Sequence, residues 1–400
     1  MNNINLLLSL QESRRTSNIL LTKKRKKYFQ FINRTHVLND TTIKNIIDFL
    51  NSVKNKPIKL PVLLDIGKVT VADKLSYIVL ECLVYEMLKL GYSITVKLIP
   101  DSTIDTKGIK NSPLMFLNEP FINFSTDKND REAKFIKDFN YISRNTVKYR
   151  RLISPDSNSY LSKLTSDLIL FLRNQFEFSD SYRRIEYDDV MVIKLANTIG
   201  ELVGNAIEHG EGDCLLDIDI THNFTHSKKL GRTFGAVNIA VLNFSSTNFG
   251  DKVKNKILNT ELSKSERYQK IKVAYDTHQS YFNDKYNEKH FWNLASIQDK
   301  ISGRPDNYNN GGKGMTDLIK SIQNFTHEDY CYMMSGKEIL NFKKELLKQD
   351  SEGFIGFNKN SFLHSIPEMT SLGISKVYLP GVAYNLNFIL EEINTWNILN

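Results

Sequence analysis

Apolar residues recur at every third or fourth position in several segments, and this period predicts amphipathic helices. The predicted helices are residues 41–53, 73–90, 160–176 and 190–209. Other segments alternate apolar and polar residues or form short apolar runs, as β-strands do. The predicted strands are residues 62–66, 93–99, 216–220, 236–243, 330–336 and 383–390. Because strands and helices follow one another along the chain, we expect an α/β fold.

The order of these elements predicts three parts of the chain. Residues 1–57 form a basic, polar N-terminal segment with a single predicted helix. Residues 58–150 begin with a strand, a helix and a strand in close succession, as in a βαβ unit. Residues 125–160 are charged and rich in turn-forming residues, so a domain boundary is expected there. A larger second α/β domain is therefore predicted for residues 155–400.

The composition is typical of a soluble globular chain, with 41% hydrophobic and 24% charged residues among 400. No run of about 18 apolar residues is present, so no membrane-spanning helix is expected. A basic cluster follows the N-terminal apolar residues, whereas a secretory signal has the opposite order. We therefore expect a cytoplasmic protein without a membrane partner. Three widely separated cysteines predict neither a disulfide framework nor a metal site.

The net charge of +8 is concentrated near the N-terminus. Residues 1–60 contain twelve Lys and Arg residues and three Asp and Glu residues, and the run at 23–27 is entirely basic. Such a run attracts nucleic acid or anionic surfaces, and the alternative interpretation is a solvated arm.

Two polar side chains on the predicted helix 190–209 are candidates for chemistry. Glu201 and Asn205 are four residues apart, so they project from the same side of the helix. A carboxamide oxygen suits Mg²⁺, which is usually shared with substrate phosphates, and a carboxylate one turn away can activate water. The alternative is a solvated polar face.

A glycine-rich loop precedes a further apolar-periodic segment. Gly311, Gly312, Lys313 and Gly314 are followed by apolar residues at helical spacing. Free backbone N–H groups at the start of a helix favour an anion, and glycines let a phosphate approach closely. The loop is not a P-loop, because its lysine is not followed by Ser or Thr. A flexible turn is the alternative interpretation.

These motifs resemble those of the GHKL ATPase superfamily. Residues 201–210 resemble its N-box, in the form closest to that of the anti-sigma-factor kinases, and residues 311–315 resemble its second glycine box. The resemblance covers roughly residues 160–390 and implies a two-layer α/β sandwich, with a mixed, mostly antiparallel sheet and helices on one face. It also implies ATP and Mg²⁺ as cofactors. Carried over to this sequence, Asn205 would bind Mg²⁺ and Glu201 would be the catalytic base, while the loop residues Gly311, Gly312, Lys313 and Gly314 would bind the phosphates.

The sequence departs from the superfamily pattern at the first glycine box. The usual Asp-x-Gly motif is replaced here by Asn243, Phe244 and Ser245. Asn243 still has an acceptor oxygen for the adenine amino group, but it lacks the charge that strengthens such a bond. We therefore expect Asn243→Asp to tighten ATP binding. Residues 251–310 form a long, aromatic-rich lid that is expected to pack against the domain.

Three functional hypotheses follow from these observations. The first is an ATP-driven switch with slow hydrolysis. The second is a serine/threonine kinase of the anti-sigma-factor type, favoured because residues 58–125 resemble a STAS-like domain, which implies a protein partner through that domain or the lid. The third is a nucleic-acid-associated effector that uses residues 23–27. A homodimer is compatible with each hypothesis.

Overall fold

Two β-sheets, one mainly parallel and one antiparallel, organise the described part of the chain. The computed structural model describes residues 6–9, 19–23, 26–101, 107–109, 112–118, 128–140, 148–155, 158–177, 183–185, 187–210, 212–225, 231–259, 266–299, 301, 318–320, 322–323 and 331–394. Helices pack on both sheets. The expected mixed α/β class is therefore confirmed.

The first sheet is built around a long central strand, β4. Its strands are β1 (Ile19–Lys23), β2 (Lys26–Ile32), β3 (Val37–Leu38), β4 (Val62–Val71) and β5 (Ile94–Pro100). The pairs β2–β4, β3–β4 and β4–β5 are parallel, whereas β1 and β2 form an antiparallel pair. The basic run at 23–27 falls where β1 is connected to β2, and residues 24–25 lie outside the described residues.

The described helices of the first part are α1 (Leu6–Ser9), α2 (Asp40–Lys54), α3 (Lys74–Lys89) and α4 (Lys128–Asn140), with a 3₁₀ helix at Pro113–Leu117. Two of them, α2 and α3, begin and end within one residue of the predicted bounds, whereas α1 and α4 were not predicted. The side chains of Asn39 and Asp73 accept backbone N–H groups at the N-termini of α2 and α3. Gly91 follows α3 with φ at 79°, where glycine is favoured.

The described residues 19–23 and 26–54 of the N-terminal segment belong to the first sheet and its helices and do not form a separate arm. Strand β2 pairs in register with β4, and α2 shares a core with α3. The other predicted boundary also shifts, because β6 (Lys148–Ile153) pairs with a strand of the second sheet. Its sequence indicated a turn region because it is rich in charge, yet Lys148 and Arg150 are buried in ion pairs with Asp217.

The second sheet is antiparallel throughout its described pairs. Its strands are β6, β7 (Arg183–Ile185), β8 (Cys214–Thr225), β9 (Thr233–Asn243), β10 (Tyr332–Asn341) and β11 (Leu372–Asn394). The order is β10-β11-β9-β8-β6, and β7 pairs with the end of β11. Helices α5 (Asn158–Glu177) and α6 (Asp189–Gly210) pack on this sheet, and their apolar residues share one core with it.

Both faces of the second sheet are covered. Along β8, Leu216 and Ile218 belong to the core shared with α6, whereas Leu215 belongs to the core shared with α3. We expected helices on one face of this sheet. The first part of the chain supplies α3 to the other face, so the two parts share an interior.

The described part of the predicted lid contains three helices and packs against the domain, as expected. They are α7 (Asp251–Asn259), α8 (Glu266–Gln279) and α9 (Glu288–Ser296). Its aromatic residues Tyr268, Tyr286, Phe291 and Trp292 are buried in the core shared with α6. Gly250 is required at the start of this segment, because a Cβ there would lie 2.7 Å from the backbone of Trp292.

Helix α6 is the element that supports the candidate site. Among the described residues, Asp189–Ile207 is the one span that is long and apolar enough to cross a membrane, with a mean hydropathy of 1.3. In the fold it is a core helix, since Leu195, Ile199 and Val203 are buried against the second sheet. This burial accounts for its apolar composition.

Candidate functional site

A small pocket with free space of about 10 Å³ lies between α6 and the end of β9. It brings together two residues that the sequence singled out, Asn205 and Asn243, although 38 positions separate them along the chain. The described residues that line it are Asn205, Ala206, Asn243, Thr247, Asn248, Phe249, Lys252, Gly381 and Val382. Four uncharged polar side chains and one lysine therefore line the pocket together with four apolar or glycine residues.

The position of Asn205 follows from how α6 is held. Asp188 Oδ1 accepts the backbone N–H of Met191 at 2.6 Å and thereby caps the helix. The apolar stripe of α6 faces the second sheet, so the polar positions turn away from it. Asn205 is half-buried beside the pocket, and Glu201, one turn earlier, is exposed. Glu201 is accordingly open to solvent and is not among the residues that line the pocket.

Asn243 presents an acceptor that no group in the described part of the chain satisfies. Its side chain is 1% exposed, and its Nδ2 donates to the carbonyl oxygens of Gly212 and Asp213 at 3.2 and 3.3 Å. Because carbonyls only accept, the NH₂ group must face them, and this fixes the orientation of the amide. Oδ1 then points the other way, without a hydrogen-bond partner. Leaving a buried acceptor unpaired costs about 1–3 kcal/mol.

The backbone of Gly381 lies close to this oxygen. Its φ is 83°, and a Cβ at this position would lie 2.6 Å from Asn243 Oδ1. Glycine is therefore required both by the backbone conformation and by the close approach. Sequence reasoning did not assign Gly381 to the site, because β11 lies far from β9 in sequence. The signal available was a Pro-Gly pair within a segment that otherwise reads as a strand.

The turn after β9 is held in place by its own hydroxyl groups and by β10. Ser245 Oγ accepts the backbone N–H of Thr247 at 3.1 Å. Ser335 Oγ accepts the backbone N–H of Phe249 at 2.8 Å and donates to the carbonyl of Gly381 at 2.6 Å. The serine that replaces the expected glycine thus stabilises the turn, and the pocket has a rigid wall.

The glycine-rich loop lies outside the described residues, together with Gly311, Gly312, Lys313 and Gly314. The segment that follows it is described in part. There Leu318, Ile319 and Ile322 are buried in the core shared with α6, at the positions that the apolar period indicated. The predicted phosphate contacts of the loop stay predictions.

The oxygen donors at this site suit a cation that binds together with a phosphate-bearing ligand. The described residues contain no group of three or more His, Cys, Asp or Glu side chains that could hold a metal ion. Asn205 and Glu201 offer oxygen atoms, which are the donors that Mg²⁺ prefers, but too few to bind it alone. The residues present therefore fit Mg²⁺ only if phosphate oxygens complete its coordination.

Comparison of the chain with protein-family models, with curated proteins and with solved structures gives no significant match. The functional argument therefore depends on the geometry of the pocket.

Proposed function

We propose that this chain binds ATP together with Mg²⁺ in the pocket between α6 and β9 and acts as a nucleotide-driven switch with slow hydrolysis. The observation that carries the proposal is the unpaired Oδ1 of Asn243 in the pocket wall. A buried acceptor of this kind favours a ligand that brings a donor. The exocyclic amino group of adenine is such a donor.

In this conformation the pocket has free space of about 10 Å³, enough for about one water molecule, so the proposal requires the pocket to widen when the base binds. We assign the base to this pocket and the phosphates to the side of α6 that carries Asn205. The glycine-rich loop 311–314 is the proposed second phosphate contact.

We assign metal binding and general base catalysis to two residues on the polar face of α6. Bound Mg²⁺ would supply charge stabilisation to the phosphates, and Asn205 would contribute one oxygen to its coordination. Glu201 would orient and deprotonate a water molecule, the work of a general base. Because Glu201 is exposed, solvent competes for its carboxylate. Slow turnover is therefore expected, as suits a switch.

Comparing ATP with ITP tests the proposal, because ITP carries a carbonyl oxygen in place of the adenine amino group. An oxygen opposite Asn243 Oδ1 would face another acceptor and leave both unpaired. We expect ATP to bind roughly tenfold or more tightly than ITP, a difference of about 1.4 kcal/mol or more. Equal affinities for the two nucleotides would refute the proposal that Asn243 Oδ1 accepts a hydrogen bond from the adenine amino group.

A further inference from the structure

A second, larger cavity lies where the two parts of the chain meet. It has a volume of about 200 Å³ and lies between α2 and α3 on one side and β10 and β11 on the other. This volume is below the roughly 300–1,000 Å³ of sites that enclose a drug-sized molecule, so the cavity suits a smaller ligand. Neither Asn205 nor Asn243 lines it. It is therefore distinct from the proposed nucleotide pocket.

The walls of this cavity are mainly apolar. They include the side chains of Ile43, Leu75, Val79, Met334, Val377 and Leu379. All six are buried members of the core that joins α3 to the second sheet. An apolar molecule placed here would contact side chains that the fold already holds in fixed positions, so little ordering would be needed on binding.

Among the described residues that line the cavity, the charged ones are Asp40 and Asp73, and none is Lys, Arg or His. Asp40 Oδ2 accepts the backbone N–H of Lys376 at 2.9 Å, and Oδ1 accepts the Thr41 hydroxyl at the long distance of 3.3 Å. Each carboxylate oxygen can accept two hydrogen bonds. Asp40 thus retains acceptor capacity at the wall of an apolar space.

The second carboxylate lacks full compensation of its charge. Burial raises the pKa of Asp73, although hydrogen bonds from Ser76 and Tyr332 and the charge of Lys107 act in the opposite direction. The protein groups around Asp73 therefore offset only part of the cost of burying its ionised form. A cation beside it would supply the remainder.

We propose that this cavity binds a small amphiphilic amine, with its apolar body against the α3–β11 walls and its ammonium group at Asp40 and Asp73. The two carboxylates repel anions of the same shape. Neutral analogues fill the apolar space but lack the charge-assisted hydrogen bond. The cavity therefore selects its ligand by charge as well as by shape.

Calorimetric titration of the full chain with n-hexylamine, n-hexanol and hexanoate tests this proposal, since the three probes differ only in their polar group. We expect hexylamine to bind roughly tenfold or more tightly than either of the others. Asp40→Asn should weaken hexylamine binding by a similar factor and leave hexanol binding unchanged. Asp276→Asn, which removes an exposed carboxylate on α8, is the matched charge control and should change neither. Equal affinity for the three probes, or no binding, overturns the proposal.

A second variant tests the location. Val377→Phe adds volume at the cavity wall and should reduce the affinity for both hexylamine and hexanol. Circular dichroism establishes that this variant is folded. Unchanged hexylamine affinity in folded Val377→Phe would place the amine elsewhere and overturn the assignment to this cavity.

Discussion

Lys74 Nζ lies 2.7 Å from Asp217 Oδ1, and this ion pair joins α3 to β8 of the second sheet. Arg150 extends the contact, because its guanidinium pairs with Asp217 and with Glu81 of α3. All of these side chains are at most 3% exposed. Buried charges therefore cross the interior between the two parts of the chain, which makes their separation costly.

Breaking this network should destabilise the whole chain. Asp217→Asn leaves Lys74 and Arg150 buried without their shared partner, and we expect the free energy of unfolding to fall by about 3–5 kcal/mol. Chemical denaturation measures the change. Asp276→Asn removes an exposed carboxylate paired with Lys272 and should cost about 0–1 kcal/mol. If the two variants lose equal stability, the network does not join the two parts.

The same carboxylate should make the fold sensitive to acid. Burial raises the pKa of Asp217, but Arg150, Lys148 and Lys74 outweigh this effect and hold it well below its usual range. Its contribution to stability is therefore fully present above the unfolded pKa of about 3.9 and is lost as the pH falls further.

Two buried histidines in the lid should make the free energy of unfolding depend on pH at higher pH values than Asp217 does. Nε2 of His278 donates to the Phe362 carbonyl at 2.8 Å, so Nδ1 of the neutral ring accepts from the Tyr286 hydroxyl. Burial lowers the pKa of His278 and of His290. Both charge on unfolding below the unfolded pKa of about 6.5, so stability is lost as the pH falls through that value.

We expect the free energy of unfolding to fall between pH 7 and pH 5, by at most about 2 kcal/mol per histidine, the limit that the unfolded pKa sets. His278→Gln should reduce this pH dependence, and His364→Gln, at an exposed position, is the matched control. Denaturant titrations at several pH values measure it. An identical slope in wild type and His278→Gln would contradict the neutral, buried state of His278.

The structure reverses the expected effect of Asn243→Asp. The sequence favoured tighter ATP binding, because a carboxylate is a stronger acceptor of the adenine amino group. However, Nδ2 of Asn243 donates to the carbonyls of Gly212 and Asp213, and a carboxylate oxygen in its place would face two acceptors. We now expect Asn243→Asp to lower stability by about 1–3 kcal/mol, measured by thermal unfolding. It should also fail to increase ATP affinity; a stable variant with tighter binding would show that the carbonyls do not fix this side chain.

Glu201→Gln separates nucleotide binding from turnover. Glutamine preserves the size of the side chain and its position one turn from Asn205, but it removes the base. ATP affinity should be unchanged, while phosphate release falls by roughly 10²–10⁴-fold, the usual contribution of a general base. Equal rates of phosphate release in the two proteins would exclude Glu201 as the catalytic base. Transfer of a labelled γ-phosphate from ATP to a protein would indicate a kinase.

Periodic elements could be predicted from the sequence, and elements defined by distant contacts could not. Helices α3 and α6 follow from their apolar spacing. Strand β6 was missed because Lys148 and Arg150 indicate a surface, whereas Asp217 neutralises them in the interior. Asn243 was identified as a candidate, but the orientation of its amide depends on backbone carbonyls that the pattern does not reveal.

The sequence of the lid also contains the apolar spacing of a helix, at α8. Helix α8 buries Tyr268, Ile271, Ala274 and His278, which recur at three- and four-residue spacing. The aromatic content of the segment indicated packing, and its period also indicated the helix. Gly381, by contrast, acquires its role only when β11 lies beside β9.

Titration calorimetry with a non-hydrolysable ATP analogue, with and without Mg²⁺, tests the central claim most directly. We predict binding that strengthens with Mg²⁺ in the wild type and no Mg²⁺ dependence in Asn205→Ala, whose fold should be intact because this side chain is half-buried at the pocket. Mg²⁺ alone should produce no binding heat, since the described residues offer it too few ligands. Absence of ATP binding in the wild type, or an unchanged Mg²⁺ effect in folded Asn205→Ala, would contradict the account.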